Sequence, residues 1–292
     1  MILSLYLVKI IAILSKVWPL IVLGIIFNLL IELFMPKKII LSNFKKKDFL
    51  TILRAAVSGF LISGLSFKVI PIVVSLRKEG ASAPACASML AFSPWTGVLG
   101  LMILGGYLGF SNLLILLGYS FLISIILGVI FSIIEKYGFI KSRTVIEAKY
   151  LKENNYANFG KYLKQKATKK ELFLSILNIL KNVSVAILFT AFFEIIFSPS
   201  FIASNFSTNY SILFALPFAT LIEIIGEGFS LFAGEMYLLG ANLGFVFAVM
   251  MAGVITDINE LTMLANIFSK KAATAYLLIS LALVLIFSYI LI

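Results

Sequence analysis

Residues 63–97 read SGLSFKVIPIVVSLRKEGASAPACASMLAFSPWTG, and residues 223–257 read EIIGEGFSLFAGEMYLLGANLGFVFAVMMAGVITD. Both stretches follow one plan: a break rich in small and polar residues, a short helix ending in Gly-Ala, then a second apolar helix that breaks in its turn. Set 160 positions apart, Gly80-Ala81-Ser82 falls on Gly240-Ala241-Asn242, Pro84 on Gly244, Ser93 on Gly253 and Thr96 on Thr256. Few positions are identical, so the correspondence rests on position and residue type. Interrupted hydrophobic segments at matching places in two halves of a chain mark a polar site held between them inside a membrane.

Outward from these stretches the chain is composed for lipid. Of 292 residues, 61% are hydrophobic and 13% charged, with a mean hydropathy of +1.10. That excludes an ordinary soluble domain. A spanning helix needs about 20 apolar residues, and residues 17–34, 112–134, 176–197 and 272–292 qualify. Residues 1–34 are too long for the apolar core of a secretory signal and lack a small-residue cleavage site. They read as a retained first span with an N-terminal extension, on which Lys9 and Lys16, seven apart, share a helix face. The chain has no histidine and one cysteine, Cys86, so no internal disulfide forms and neither a metal nor a cofactor is expected. Any proton coupling falls to carboxylates or lysine.

The net charge of +11 sits in short loops, which favours membrane orientation over a nucleic-acid partner. The basic loops are 36–48 and 139–171, with smaller points at Arg77-Lys78 and Lys270-Lys271; segments 109–112, 198–210 and 238–242 carry no charge. By the positive-inside rule the first set is cytoplasmic and the second external. Residues 51–79 then begin and end inside, as a re-entrant hairpin with its tip at 65–70 and Pro71 in the first turn of the returning helix. Residues 211–239 begin and end outside, with a tip near 225–230. The expected fold is an all-α polytopic integral membrane protein of the cell (plasma) membrane. It comprises two inverted repeats, 1–138 and 173–292, giving about six full transmembrane helices plus two re-entrant hairpins. A basic cytoplasmic linker, 139–172, joins them, read as a solvated connector in preference to a headgroup-binding segment. The competing topology is eight or more ordinary crossings.

Glu32, Arg54, Glu135 and Glu194 lie near helix ends, where charges snorkel to water, and no function is assigned to them. Lys68 and Glu227 lie in the two breaks, one position apart under the offset, so they are the expected lining of a central site. A static ion pair between the hairpins is the alternative. Glu223 shares a helix face with Glu227, and with Glu235, Asp257 and Glu260 it forms a second acidic group in the C-terminal half. Ser93-Pro94-Trp95-Thr96 and the segment at Thr256-Asp257 are matching helix breaks, whose freed carbonyls and hydroxyls suit a cation or polar solute. The expected substrate- or ion-binding residues are therefore Lys68, Pro71, Ser93, Thr96, Glu223, Glu227, Thr256 and Asp257. The small residues around Gly80 and Gly240 suit close helix packing.

At these residues the chain resembles the predicted-permease family whose best-known members export trivalent methylated arsenicals. The resemblance is carried by Val69-Ile70-Pro71, Arg77-Lys78-Glu79-Gly80-Ala81 and Phe92-Ser93-Pro94. The second half contributes Glu227-Gly228, Gly240-Ala241-Asn242-Leu243-Gly244, Ala248-Val249-Met250-Met251-Ala252 and Asn259-Glu260-Leu261. It implies a permease architecture over most of the chain. The arsenical exporters carry Cys-Ser-Cys before the Ile-Pro; here those cysteine positions are Leu65 and Phe67. Thiol capture of an arsenical does not carry over.

The expected function is a secondary transporter for a small solute or ion, with efflux as one direction, working by movement of one half against the other. A passive channel of the same architecture is the alternative. No Walker A sequence is present, and no constellation supports an enzyme. Beyond the bilayer and its solute no partner is implied, and a homo-oligomer stays open.

Overall fold

A computed structural model describes residues 2–34, 44–63, 69–78, 80–93, 97–138, 140, 169–222 and 229–292. Every regular element among them is a helix: α1 (Ile2–Phe34), α2 (Phe49–Ser63), α3 (Val69–Lys78), α4 (Ala83–Phe92), α5 (Gly97–Leu108), α6 (Phe110–Lys136), α7 (Lys169–Ile196), α8 (Pro199–Phe206), α9 (Ser211–Ile222), α10 (Phe229–Leu238), α11 (Leu243–Ile255), α12 (Ile258–Ile267) and α13 (Lys270–Ile290). Four stretches are long and apolar enough to cross a membrane: Leu3–Phe27, Phe110–Lys136, Ile176–Ile196 and Lys270–Ile290. Two bent pairs reach that length only together, Ala83–Phe92 with Gly97–Leu108 at 47° and Leu243–Ile255 with Glu260–Ile267 at 49°. The described residues thus hold four to six candidate spans.

The remaining apolar helices are shorter. α2, α3, α9 and α10 have 15, 10, 12 and 10 residues. At about 1.5 Å per residue, even the longest falls short of a hydrocarbon core about 30 Å thick. The expected hairpin tips are only partly described. Val69 and Ile70 already belong to α3, which leaves Pro71 in its first turn, and Phe229 and Ser230 belong to α10. None of those four carries turn chemistry, so helix continues through them; residues 64–68 and 223–228 lie outside the described residues.

The same turn closes α3 and α10. Gly80 N donates to Arg77 O (3.1 Å) and Ala81 N to Leu76 O (2.8 Å); Gly240 N donates to Tyr237 O (3.0 Å) and Ala241 N to Met236 O (2.9 Å). This is the Schellman pattern, in which a residue at positive φ lets two following amides satisfy the last carbonyls of the helix. Gly80 has φ 101 and Gly240 φ 105, a region that costs other residues dearly. The next residue anchors each turn to the chain just before the preceding pair of short helices, α2 with α3 and α9 with α10. Ser82 N donates to Phe44 O (2.8 Å) and Asn242 N to Phe206 O (3.1 Å). The Ser82 hydroxyl donates to Lys46 O (2.9 Å), and Asn242 Nδ2 to Thr208 O (3.3 Å).

The core centres on the helices these turns launch. Every residue of α4 is buried, and α11 is buried from Gly244 through Gly253. In water such apolarity on all sides would be insoluble; here it lets α2 and α6 clasp α4, and α9 and α13 clasp α11. Small side chains set the spacing. Gly59 lies against the Met89 carbonyl, and Gly128 against Ser88, Pro84 and Ile52. The Ser124 hydroxyl donates to Ser88 O (2.9 Å), and that of Ser88 to Ile52 O (3.2 Å). In the second half the notch changes sides: Gly244 on α11 meets the Ser288 carbonyl of α13. Across the halves, α10 packs on α5, α3 on α12, α1 on α7 and α6 on α13.

Candidate functional site

Each central helix ends in a hydroxyl residue where it bends. Ser93 caps α4 and its Oγ donates to Leu90 O (2.9 Å). Thr256 caps α11 and its Oγ1 donates to Ala252 O (2.8 Å). Both hydroxyls spend their proton on their own helix, so what they offer a ligand is oxygen lone pairs. Asp257 follows Thr256, half-buried; its amide donates to Val254 O (3.1 Å) and its carbonyl accepts from Leu261 N (2.9 Å), which starts α12. The bends thus fall where the sequence breaks were expected. Pro71 contributes its backbone to the first turn of α3. Lys68, Thr96, Glu223 and Glu227 lie outside the described residues. The described members thus sit at the two helix breaks (Ser93, Thr256 and Asp257) and, for Pro71, in the first turn of α3.

A second polar cluster escaped sequence reasoning. Lys9 Nζ lies 2.7 Å from Glu194 Oε2, and Lys16 Nζ 2.8 Å from Glu235 Oε1. Glu194 was expected to snorkel into water near the end of α7. Instead α1 and the aromatic rings of Phe189, Phe193 and Phe232 close over this part of the fold, and the carboxylate side chain is 4% exposed. The Glu235 side chain is 2% exposed. Each carboxylate keeps one oxygen, Glu194 Oε1 and Glu235 Oε2, buried without a hydrogen-bond partner among the described residues. Thr190 Oγ1 and Tyr107 OH are in the same condition. Thr190 sits one turn before Glu194 on α7. Tyr107, on α5, packs its ring against Gly234 and turns its hydroxyl toward Glu235 and Glu194 without closing a hydrogen bond of ordinary geometry. The one sequence signal for this cluster was the shared face of Lys9 and Lys16, and their partners lie 185 and 219 residues away.

The other acids have simpler settings. Tyr276 OH donates to Glu260 Oε1 (3.0 Å) in the buried contact of α12 with α13. Glu135, at the end of α6, meets Lys47 at 3.2 Å, a pair half open to solvent on the lysine side. Arg54 is exposed, as a snorkelling side chain should be. Arg77 is buried at the end of α3, donates to Ala81 O (2.7 Å) and lies 5.1 Å from the centre of the Phe268 ring, bracing the Gly80 turn against the other half. Cys86 is buried within α4. Among the described residues no group of three or more His, Cys, Asp or Glu is placed to hold a metal ion.

Comparison with known proteins agrees with this all-helical, multi-pass architecture. A family model described as "Predicted permease" matches residues 3–292, nearly the whole chain. The chain belongs to that family, and is accordingly a membrane permease. No curated protein and no solved structure matches it.

Proposed function

We propose that this permease is a secondary transporter whose solute binds between the tips of two hairpins, 51–79 and 211–239, that enter the membrane from opposite faces. Lys68, Glu223 and Glu227 supply the charges of the site. Pro71 and the helix breaks at Ser93, Thr96, Thr256 and Asp257 supply carbonyl and hydroxyl oxygens. The two repeats, 1–138 and 173–292, have inverted topology, with the 139–172 linker on the cytoplasmic side of the plasma membrane and efflux as one direction of transport. One observation carries the reading. The same glycine turn, anchored through equivalent amides 160 residues apart, joins a helix too short to span the bilayer to a helix bent near its middle. Paired short and broken helices are how transporters bring backbone dipoles to a solute at membrane depth.

The substrate is a small polar or ionic solute. Leu65 and Phe67 stand where a thiolate pair would be needed for a soft arsenical, and Cys86 is buried on another helix. Flux measured in proteoliposomes of purified, folded protein tests the proposal, with methylarsenite beside a panel of small anions and cations. Saturable flux of a panel solute other than methylarsenite is expected, abolished by Glu227→Gln. An ohmic, unsaturating current would favour the channel; saturable methylarsenite movement would overturn the substrate argument.

A further inference from the structure

The cluster of Lys9, Lys16, Glu194 and Glu235 supplies no residue to the site proposed above. Its composition is unusual for a structural bridge. Two carboxylates and two ammonium groups sum to zero charge, yet the two sides differ in access: the acids are 4% and 2% exposed, the Lys9 and Lys16 side chains 30% and 45%. A half-exposed lysine on a flexible stem can leave for water or headgroups. A buried carboxylate cannot follow it. Glu235 left without Lys16 would be an uncompensated charge beside Glu194, the condition under which a carboxyl group takes up a proton.

We propose that Glu235 is a proton-binding group of this permease, and that Lys16 is the counter-ion its protonation releases. A proton from water bonds to Oε2, the oxygen without a hydrogen-bond partner among the described residues; the ammonium keeps its own protons and withdraws from Oε1. The charge of the cluster rises by one, and falls again when the proton leaves. The Tyr107 hydroxyl, which faces Glu235 and has no hydrogen-bond partner of ordinary geometry among the described residues, is the group that receives the new O–H or hands it on. A proton fits better than a metal cation, which would have to enter beside two ammonium groups, whereas a proton needs one lone pair. Among the described residues the titratable groups set around Glu235 are Lys16 from α1, Tyr107 from α5 and Glu194 from α7, the last itself paired with Lys9. α11, which also packs on α10, brings none. That this proton drives transport rests on the carrier reading; that Glu235 binds it does not.

Infrared difference spectra of the purified protein in lipid nanodiscs, acidic minus alkaline, read the carboxyl group directly. A protonated-carboxyl band that disappears in Glu235→Gln and persists in the rim control Glu135→Gln is expected. In Lys16→Met that band should shift in frequency, since the charge in contact with the carboxyl group is lost. Identical difference spectra for the wild type and a folded Glu235→Gln would overturn the proposal. Should that variant fail to fold, an unmoved band in Lys16→Met would overturn it equally. In proteoliposomes, flux of the transported solute should respond to a pH gradient in the wild type and in Glu135→Gln but not in Glu235→Gln. Absence of flux for every solute would sink the carrier reading and leave the infrared titration to decide the proton site.

Discussion

Gly240 holds φ 105 and a Cβ there would lie 2.9 Å from that of Ala203. Gly240→Ala should therefore cost about 1–2 kcal/mol, read as a lower unfolding temperature in detergent. Gly118, inside α6 with nothing within 4 Å of its missing Cβ, is the control: alanine there should be neutral or stabilise by up to about 1 kcal/mol. Asp48 caps α2, with Thr51 N donating to Oδ1 at 3.0 Å. The bond to Thr51 holds the Asp48 carboxyl below its ordinary range. A group lowered on folding stabilises above its unfolded pKa and loses that contribution as pH falls through the folded value. Acid unfolding of Asp48→Asn should accordingly be less steep than that of the wild type over that window. The glycine turns were legible because Gly-Ala after a short helix is itself a turn signal. The Glu194 and Glu235 pairs were not, since nothing local tells an acid near a helix end that another helix will cover it.

Among the elements, the bends between α4 and α5 and between α11 and α12 fell where sequence put them, because Ser-Pro and Thr-Asp interrupt otherwise continuous apolar runs. The ends of the short helices were less legible: Val69-Ile70 and Phe229-Ser230 were assigned to tips and prove helical, being apolar or small residues that helices absorb. Close crossings make the sharpest prediction at this scale. Gly128 touches Ser88, Pro84 and Ile52, so Gly128→Leu wedges α6 away from α4 and should destabilise by about 1–3 kcal/mol. Leucine at Gly118 on the same helix should be tolerated. Thermal unfolding of the pair separates loss of packing from any general intolerance of α6.

For the molecule as a whole, the sequence pointed to the class and the spans, but not to how the halves are laced together. The orientation proposed from charge is tested with single cysteines in a Cys86→Ala background. Tyr137 and Tyr210 are 74% and 75% exposed; a cysteine at 137 should be labelled from the cytoplasm, and cysteines at 210 and at Ser111 from outside. Labelling of all three from one face would remove the inverted topology. The packing of α10 on α5 and of α3 on α12 has a mechanical meaning of its own. α3 and α10 are each seated on the broken helix of the other half, as fingers interlace when hands are clasped. Movement of one half against the other would have to part these seats. Because they cross between the halves without passing through the linker, severing the linker would cut the covalent thread and leave the molecule's joints where they were.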